Sequence, residues 1–515
     1  MNHLRQSFRN PIMRNTPLAC LSLVWFWAAA SAGAAEYLAL VSKTASDEPE
    51  WKAVGDKLAT IHSGTCEIWD DSEKDLVRLL QQHQPRYLAI VAKPEQIHAA
   101  TIRSINRATR SVDDDPWTDC RWGLISGNTA VDAMHVAETR EPLVIKRALT
   151  TTGINLGLVE SGLTLSDGTK GTYTRKDRGG KPEEGTWDNA KAPAGTVSMF
   201  ADYWNNHDPQ LLVSSSHATQ FNLEMPWGLG LIASHGGKFH VLTQQQRNEF
   251  ARFLGGAMFT GDPKKLGEWI DTTKAPTLTA CKSPRVWHAA GNCLVGDAKG
   301  TGESMAVTAL SSGFRQMVGY VVPTWYGNNG WGSLKLWQES RGRLNLSESF
   351  YLNLQGLIDE TITRFPGAIE VDFNSEDIQE GLKSDREFIK GLNVLVPKLK
   401  IEQKDQKDLL GLIHDRDVVA FWGDPLWDAR FDPKALPHPV TSSWKKKEGM
   451  LTLNLKANAD FEGAYPLWLP ARIKNPKLVI PKNAKVDALA ADDFLLIRKL
   501  TLKKGETIAL TLAGS

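Results

Sequence analysis

Short apolar runs alternate with segments of helical spacing at the start of the chain. Residues 37–41, 66–69 and 87–91 are apolar runs, and residues 51–61 and 74–83 between them repeat apolar side chains at helical spacing. An order of strand, helix and strand is typical of βαβ units, whose strands lie parallel in one sheet. The sequence therefore predicts an α/β fold with a mainly parallel sheet flanked by helices.

The alternation continues to about residue 425. We predict further strands that end near Gly127, His217, Cys293, Val322 and Gly423, and further helices at residues 132–137, 196–206, 244–254, 305–310, 347–364 and 375–392. Residues 166–194 are rich in Gly, Lys, Asp, Thr and Pro, which indicates an exposed loop or hairpin insertion. The α/β region would span residues 36–432, which is long enough for two subdomains.

From Pro437 onwards the pattern changes to short alternating runs such as residues 451–455 and 507–512, separated by Pro and Asn. Alternating runs separated by such turn-forming residues are typical of strands in a small all-β unit. We therefore predict a C-terminal β-sandwich domain over residues 433–515, with the boundary near Asp432.

The N-terminus has the composition of a secretory signal peptide. Arg5, Arg9 and Arg14 precede an apolar segment at residues 18–30 and a small-residue run at residues 30–35, with cleavage expected near Ala34 or Ala35. The apolar segment is short for a permanent membrane span, and no later segment is long enough for one. We expect an exported protein, periplasmic or extracellular, without a membrane span.

The charge of the mature chain argues against two classes of partner. Without residues 1–35, 57 Lys and Arg stand against 59 Asp and Glu, so the net charge is −2. This balance implies no basic face, and nucleic acid and anionic membrane are therefore not expected partners.

Two strand ends present the residues that could perform chemistry. One apolar run ends in Gly291-Asn292-Cys293, and an earlier run ends in Ser214-Ser215-Ser216-His217. A thiol attacks as thiolate, and a nearby imidazole can take its proton and later protonate the leaving group. Cys293 and His217 are therefore the candidates for a cysteine-hydrolase dyad.

Other polar residues compete with this pair. His235 also follows an apolar run, but the chain turns back at once, so it is expected at a hairpin tip. Asp297 and Glu303 lie in a glycine-rich loop, where we expect solvated carboxylates. The alternative is that they orient the dyad or select a basic side chain of the substrate. Ser216 stands beside His217 and is a further possible nucleophile. This pairing is disfavoured, because adjacent residues of a strand point to opposite faces.

Four cysteines remain after export: Cys66, Cys120, Cys281 and Cys293. If Cys293 stays a thiol, one intramolecular bridge can form, and Cys66 with Cys120 is the expected pair. We find no zinc-ligand spacing and no dinucleotide fingerprint, so neither a metal nor a cofactor is expected. The 18 Trp residues are expected mainly in the core, with carbohydrate stacking as the alternative.

These residues resemble the gingipain-like cysteine peptidases of the caspase-haemoglobinase (clan CD) fold. The resemblance covers about residues 37–430 and is closest at His217, Cys293 and Gly423-Asp424-Pro425, with weaker matches at Ser126-Gly127-Asn128 and residues 304–319. In that family an immunoglobulin-like sandwich often follows the catalytic region, which suits residues 433–515.

The resemblance implies that His217 is the general base and acid, that Cys293 is the nucleophile, and that the Cys293 backbone N–H belongs to the oxyanion hole. The chain departs from the family pattern twice. Ala218 follows the histidine where a glycine is usual, and Asn292 precedes the cysteine where a small residue is usual.

The expected function is that of a secreted cysteine endopeptidase acting on a protein or peptide substrate. One alternative is a catalytically inactive binding protein of the same fold that recognises glycan or protein through its β domain and tryptophan-rich surface. Another is a glycoside hydrolase, because sequence spacing does not constrain its paired carboxylates.

Overall fold

The computed structural model describes residues 36–165, 169–253, 262–273, 275–371, 397–398 and 400–514. The predicted signal peptide at residues 1–35 and the predicted helix at residues 375–392 lie outside these ranges.

The first part of the chain alternates strand and helix, as predicted. Its strands are β1 (Tyr37–Ser42), β2 (Thr65–Trp69), β3 (Tyr87–Val91) and β4 (Arg121–Ile125), and its helices are α1 (Lys43–Ser46), α2 (Pro49–His62), α3 (Glu73–His83), α4 (Ala99–Ala108) and α5 (Ala130–Ala137). All six residues of β1 are buried, because helices cover both faces of the sheet at this strand.

The second part contains most of the remaining helices. Its strands are β5 (Leu143–Ile145), β6 (Arg147–Thr150), β7 (Ser161–Leu165), β8 (Thr172–Lys176), β9 (Glu183–Thr186), β10 (Leu211–Ser214), β11 (Asn222–Glu224), β12 (Gly230–His235), β13 (Lys238–Thr243), β14 (Arg285–Ala289), β15 (Phe314–Tyr320), β16 (Val419–Gly423) and β17 (Ala429–Phe431). Its helices are α6 (Ala192–His207), α7 (Gln244–Phe253), α8 (Pro263–Thr273), α9 (Met305–Ser311), α10 (Gly330–Glu339), α11 (Leu346–Arg364) and α12 (Gln403–Arg416).

One sheet of twelve strands runs through both parts, in the order β2-β1-β3-β4-β16-β15-β14-β10-β6-β7-β8-β9. The pairs from β2 to β16 are parallel, and so are the pairs from β15 to β7. Strands β15 and β16 pair antiparallel, so the two groups of strands run in opposite directions. The predicted mainly parallel α/β sheet is confirmed, and the carboxyl ends of its two halves lie at opposite edges.

The insertion predicted at residues 166–194 is partly a hairpin. Strands β8 and β9 extend the sheet as an antiparallel pair beside β7. Strands β11, β12 and β13 form a separate antiparallel sheet between β10 and α7 in the chain.

The C-terminal part is entirely strand, as predicted. It contains β18 (Val440–Lys447), β19 (Met450–Ala457), β20 (Phe461–Gly463), β21 (Leu467–Trp468), β22 (Lys477–Val479), β23 (Val486–Ala490), β24 (Phe494–Leu502) and β25 (Thr507–Ala513). One sheet has the order β18-β19-β25-β22, and β20, β21 and β23 all pair with β24 in a second. Leucines of both sheets share one buried core, separate from the core of the α/β region.

The predicted bridge between Cys66 and Cys120 is wrong, because both residues are free thiols in the structure. Cys66 lies on β2, whereas Cys120 directly precedes β4, and β1 and β3 lie between these strands. Three strand spacings amount to roughly 14 Å, far beyond the Cα separation that a disulfide spans.

Among the described residues, no helix combines the length and the apolar character that a membrane span needs.

Candidate active site

The two residues that the sequence singles out follow adjacent strands. Strands β10 and β14 are parallel neighbours, and Ser214 at the end of β10 pairs with Ala289 at the end of β14. His217 comes three residues after Ser214, and Cys293 comes four residues after Ala289. Both segments therefore leave the sheet at the same edge, as the pattern of strand ends predicts.

The side chain of Asn292 connects these two segments. Its Oδ1 accepts a hydrogen bond from Ser214 Oγ at 2.5 Å, and its Nδ2 donates to the backbone oxygen and the hydroxyl of Ser216 at 3.1 and 3.0 Å. Asn292 is 0% exposed, so these bonds are shielded from competing water. One buried amide thus joins the residue before Cys293 to the residue before His217.

A second contact connects the segments that follow. Asp297 Oδ2 accepts from Gln220 Nε2 at 3.1 Å, and its Oδ1 accepts from the backbone N–H of Lys299 at 2.8 Å. Asp297 is only 6% exposed, so the expectation of a solvated carboxylate is wrong. Burial raises the pKa of this carboxyl. The contact holds the glycine-rich loop after Cys293 against the segment after His217.

The backbone around the half-buried Cys293 is closely packed. Its Sγ accepts the backbone N–H of Thr324 at 3.2 Å. A Cβ at Gly291 would lie 2.3 Å from Ser215 Oγ, and one at Gly296 would lie 2.2 Å from a backbone oxygen of β15. Only glycine permits both approaches. The thiol therefore sits between two positions that admit no side chain.

The residue after the cysteine has an unusual backbone conformation. Leu294 adopts φ +65°, and its N–H donates to the backbone oxygen of Val322 at 3.3 Å. For an L-residue with a branched side chain, the left-handed region costs about 1–2 kcal/mol. Such strain persists where packing enforces it, and it is concentrated at functional sites.

Two backbone N–H groups remain available at this edge. An isolated bridge joins Ala218 to Leu223, and its hydrogen bonds use the residues on either side of Ala218. Within the described residues, neither the N–H of Ala218 nor the N–H of Cys293 has a partner in the protein. Such donors are suited to the oxyanion of a tetrahedral intermediate.

The structure separates the two candidate histidines. His217 is exposed, and its backbone oxygen accepts the N–H of Glu224 at 2.9 Å. His235 lies at the tip of the β12–β13 hairpin, as predicted. Its Nδ1 lies 3.5 Å from the Glu303 carboxylate and its Nε2 lies 3.5 Å from that of Asp271. The Glu303 carboxylate also accepts the backbone N–H of Gly236 at 2.9 Å, so it contacts the tip of the hairpin.

Eight of the sixteen tryptophans in the described residues are buried, so half of them match the expectation of core residues. The buried ones are Trp51, Trp69, Trp122, Trp204, Trp287, Trp337, Trp422 and Trp427. Trp325 and Trp331 are 56% and 38% exposed. Trp325 follows the residue that donates to Cys293, and the Trp331 indole nitrogen would lie 2.9 Å from a Cβ at Gly291. Two exposed indoles therefore lie beside the candidate site.

One group of carboxylates in the described part of the chain is close enough to share a metal ion. The oxygens of Asp113, Asp115 and Asp119 lie within 4.8 Å of one another. Burial, together with the neighbouring carboxylates, raises the pKa of Asp119 to about 8 and that of Asp115 to about 6. The backbone oxygen of Asp119 accepts from Arg472, so the group lies against the C-terminal β-sheet unit. Exposed acidic groups of this kind are common without an ion.

Three solved structures are similar to this chain over most of its length. The Arg-specific cysteine proteinase gingipain R (RgpB) is 10% identical, with 93% of this chain and 95% of that chain covered and a TM-score of 0.35. A complex of the pro- and mature domains of RgpB from Porphyromonas gingivalis is 9% identical, with 93% and 97% covered and a TM-score of 0.36. A structure described only as a protease is 8% identical, with 93% and 94% covered and a TM-score of 0.35.

The first two are gingipains. They belong to the family that the motifs around His217 and Cys293 resemble. No family model and no curated protein matches the sequence.

Proposed function

We propose that this chain is a cysteine peptidase in which Cys293 is the nucleophile and His217 is the general base and acid. The observation that carries the proposal is the register of two adjacent parallel strands, β10 and β14, which brings both residues to one edge of the sheet. The buried amide of Asn292 then bonds the two segments to each other. A thiol and an imidazole on neighbouring segments are the two groups that a Cys–His dyad requires.

The chemistry follows from the groups at this edge. The Cys293 proton passes to His217, and Sγ attacks the carbonyl carbon of the peptide bond to form a C–S bond. The backbone N–H groups of Cys293 and Ala218 donate hydrogen bonds to the negatively charged carbonyl oxygen. The C–N bond breaks as His217 protonates the leaving amine. Water then attacks the thioester, His217 takes a proton from it, and Sγ leaves.

Neither departure from the family pattern removes a group that this reaction needs. Ala218 has a backbone N–H as glycine does, and its bridge to Leu223 leaves that N–H unused. Asn292 is larger than the usual small residue, but its amide points into the protein and bonds Ser214 and Ser216. The two departures are therefore compatible with the proposed reaction.

The same proposal includes the organisation of the chain. Residues 1–35 would direct export to the periplasm or the cell exterior and then be removed. Residues 36–432 would form the catalytic region, and residues 433–515 an immunoglobulin-like domain without catalytic groups. A protein or peptide is the expected substrate, and no cofactor is required by the chemistry.

Alkylation of the mature chain, residues 36–515, with iodoacetamide tests the nucleophile. Burial raises the pKa of Cys66 to about 12 and that of Cys281 to about 11, and it raises the pKa of Cys120 further still. These three thiols are therefore slow-reacting internal controls. We expect Cys293 to react first at mildly acidic and neutral pH, as read by peptide mass spectrometry, and His217→Ala to slow that reaction.

Hydrolysis of a labelled unfolded protein tests the dyad directly. Cys293→Ala should abolish turnover, and His217→Ala should lower it by roughly 100-fold or more, which is the usual scale of general acid–base catalysis. His235→Ala is the matched control and should change turnover less than about twofold, because its ring contacts carboxylates of the hairpin region. Wild-type turnover in Cys293→Ala would refute the assignment. An inactive chain with a slowly reacting Cys293 would favour a binding protein.

A further inference from the structure

The near-neutral balance of the mature chain hides an uneven distribution of charge. Residues 433–515 carry 14 Lys and Arg but 7 Asp and Glu, whereas residues 36–432 carry 43 Lys and Arg and 52 Asp and Glu. The C-terminal β unit is therefore basic and the α/β region is acidic. The expectation that no basic face exists holds for the average of the chain but not for this unit.

Four of the twelve lysines of the unit lie on one face of one sheet. In the sheet β18-β19-β25-β22, Leu451, Leu453 and Leu455 point into the core, so the alternate residues of β19 point outward. Cross-strand register places partners on the same face, so the outward positions of the other strands follow. They are Thr441, Ser443, Lys445, Lys447, Met450, Thr452, Asn454, Lys456, Lys477, Val479, Thr507, Ala509, Thr511 and Ala513. We call these fourteen residues the lysine face.

The charges on the lysine face have one sign. Four of its residues are lysines, Lys445, Lys447, Lys456 and Lys477, and none is acidic. All four are exposed. Lys447 approaches Glu448 of the adjoining turn at 3.5 Å, an exposed contact that contributes little. Within the described residues, the other three form no ion pair.

Two acidic residues of the unit form ion pairs away from the lysine face. Asp493 pairs with Arg472 and Arg86, and Asp487 pairs with Arg498, all on the side of the second sheet. That sheet also carries the contact with the α/β region, where Phe494 and Leu496 pack against Leu344 and Leu352. The lysine face is therefore the opposite surface of the sandwich and is directed away from the α/β region.

We propose that the lysine face binds an anionic polysaccharide. Lys447 and Lys477 lie in one cross-strand row on the two outer strands, about 14 Å apart by three strand spacings. Between the lysines lie the hydroxyl groups of Thr452 and Thr511, which can bond sugar hydroxyls. A flat surface with cations at its margins and neutral polar groups at its centre matches an extended, acidic, hydroxyl-rich polymer.

Two other anionic partners fit this face less well. It carries no arginine for bidentate phosphate contacts and no aromatic residue for base stacking, which are the usual means of binding nucleic acid. Its exposed apolar residues are Met450 and Val479, 41% and 59% exposed. Without an aromatic anchor, these two give little insertion into a lipid surface.

Binding of the mature full chain to heparin, a sulfated polymer, and to polygalacturonate, a carboxylated one, tests the proposal. Neutral dextran, phosphatidylglycerol vesicles and a DNA duplex are the comparison ligands. The test variant changes Lys445, Lys447, Lys456 and Lys477 to Gln. The matched control changes Lys482, Lys485, Lys499 and Lys504 to Gln, which removes the same charge from the same unit outside the face.

We expect both acidic polymers to bind the wild type and the control in a salt-dependent manner. The test variant should bind roughly tenfold or more weakly at low ionic strength, because four unscreened charges are lost. Unchanged binding by the test variant would overturn the proposal, and so would equal binding of dextran. Tighter binding of vesicles or DNA than of both polymers would also overturn it. Cys293 is untouched in every variant, so the result is independent of the peptidase assignment.

Discussion

The side-chain amide nitrogen of Asn292 donates two hydrogen bonds to one residue, Ser216: one to its backbone oxygen and one to its hydroxyl. Because Ser216 directly precedes His217 and Asn292 directly precedes Cys293, the position of one candidate catalytic residue depends on that of the other.

Replacement of Asn292 by alanine should therefore affect stability and reactivity together. The change removes the donor to the Ser216 backbone oxygen and the acceptor for the Ser214 hydroxyl proton, although Ser214 Oγ still accepts the Trp287 indole N–H at 2.8 Å. The free energy of unfolding should therefore fall by about 1–3 kcal/mol. The alkylation rate of Cys293 should also change, because the two segments are no longer joined. Asn292→Asp is the control that keeps the acceptor for Ser214. Loss of stability with unchanged alkylation would limit Asn292 to a structural role.

The strained backbone after the cysteine permits a second test. Leu294→Gly and Leu294→Ala both remove the isobutyl group, but only glycine adopts φ +65° without cost. The glycine variant should therefore be more stable than the alanine variant by about 1 kcal/mol, measured by denaturant unfolding. Equal stabilities would mean that Leu294 does not hold this conformation in solution.

The sequence predicts the strands that carry His217 and Cys293, because apolar runs and their ends are local features. It cannot predict the register of β10 and β14, which brings the two ends together. Asn292 appears in the sequence only as an unusually large residue beside the cysteine. Its hydrogen bonds to Ser214 and Ser216 span more than seventy residues and depend on that register.

Burial is also hard to predict from local composition. Asp297 lies in a glycine-rich loop, and this composition predicts a solvated side chain. In the structure the neighbouring Gly296 packs against the backbone of β15, and the Asp297 carboxylate is buried. Cys66 and Cys120 both adjoin strands of one sheet, but strand order separates them. Overall composition likewise conceals the lysine face, which depends on the alternation of four paired strands.

The family-like segment Gly423-Asp424-Pro425 has a structural role that can be measured. Asp424 is 2% exposed and accepts hydrogen bonds from the Tyr37 hydroxyl at 3.0 Å and from His62 Nε2 at 2.7 Å. A buried donor that loses its acceptor costs about 1–3 kcal/mol. Asp424→Ala leaves the Tyr37 hydroxyl and His62 Nε2 without this acceptor, so it should lower the free energy of unfolding by about 3 kcal/mol. His62→Gln keeps a nitrogen donor and should be milder. The same loss in both variants would contradict this account.

The domain boundary predicted near Asp432 can be tested by expressing residues 36–435. This fragment keeps β17, which pairs with β5, and it should still alkylate at Cys293. It loses the partners of Leu344, Leu352 and Asp359, so its solubility should be lower than that of the full chain. Failure of the fragment to fold under conditions that fold the full chain would show that the β unit belongs to the same cooperative structure.

The burial of Asp115 and Asp119 predicts a pH dependence of stability. Because burial raises the pKa of Asp119 to about 8, the folded protein holds this proton more tightly than the unfolded chain, whose aspartates titrate near 4. The contribution to stability is therefore complete below pH 4 and is lost as the pH rises to about 8. Asp119→Asn removes this titration. Its stability relative to the wild type should rise by roughly 3–4 kcal/mol between pH 5 and pH 8, which is about 1.4 kcal/mol for each pH unit, measured by denaturant unfolding at each pH. Lys482→Gln is a distant control and should follow the wild type across the range. A constant difference between Asp119→Asn and the wild type from pH 5 to pH 8 would show that Asp119 titrates normally in the folded protein.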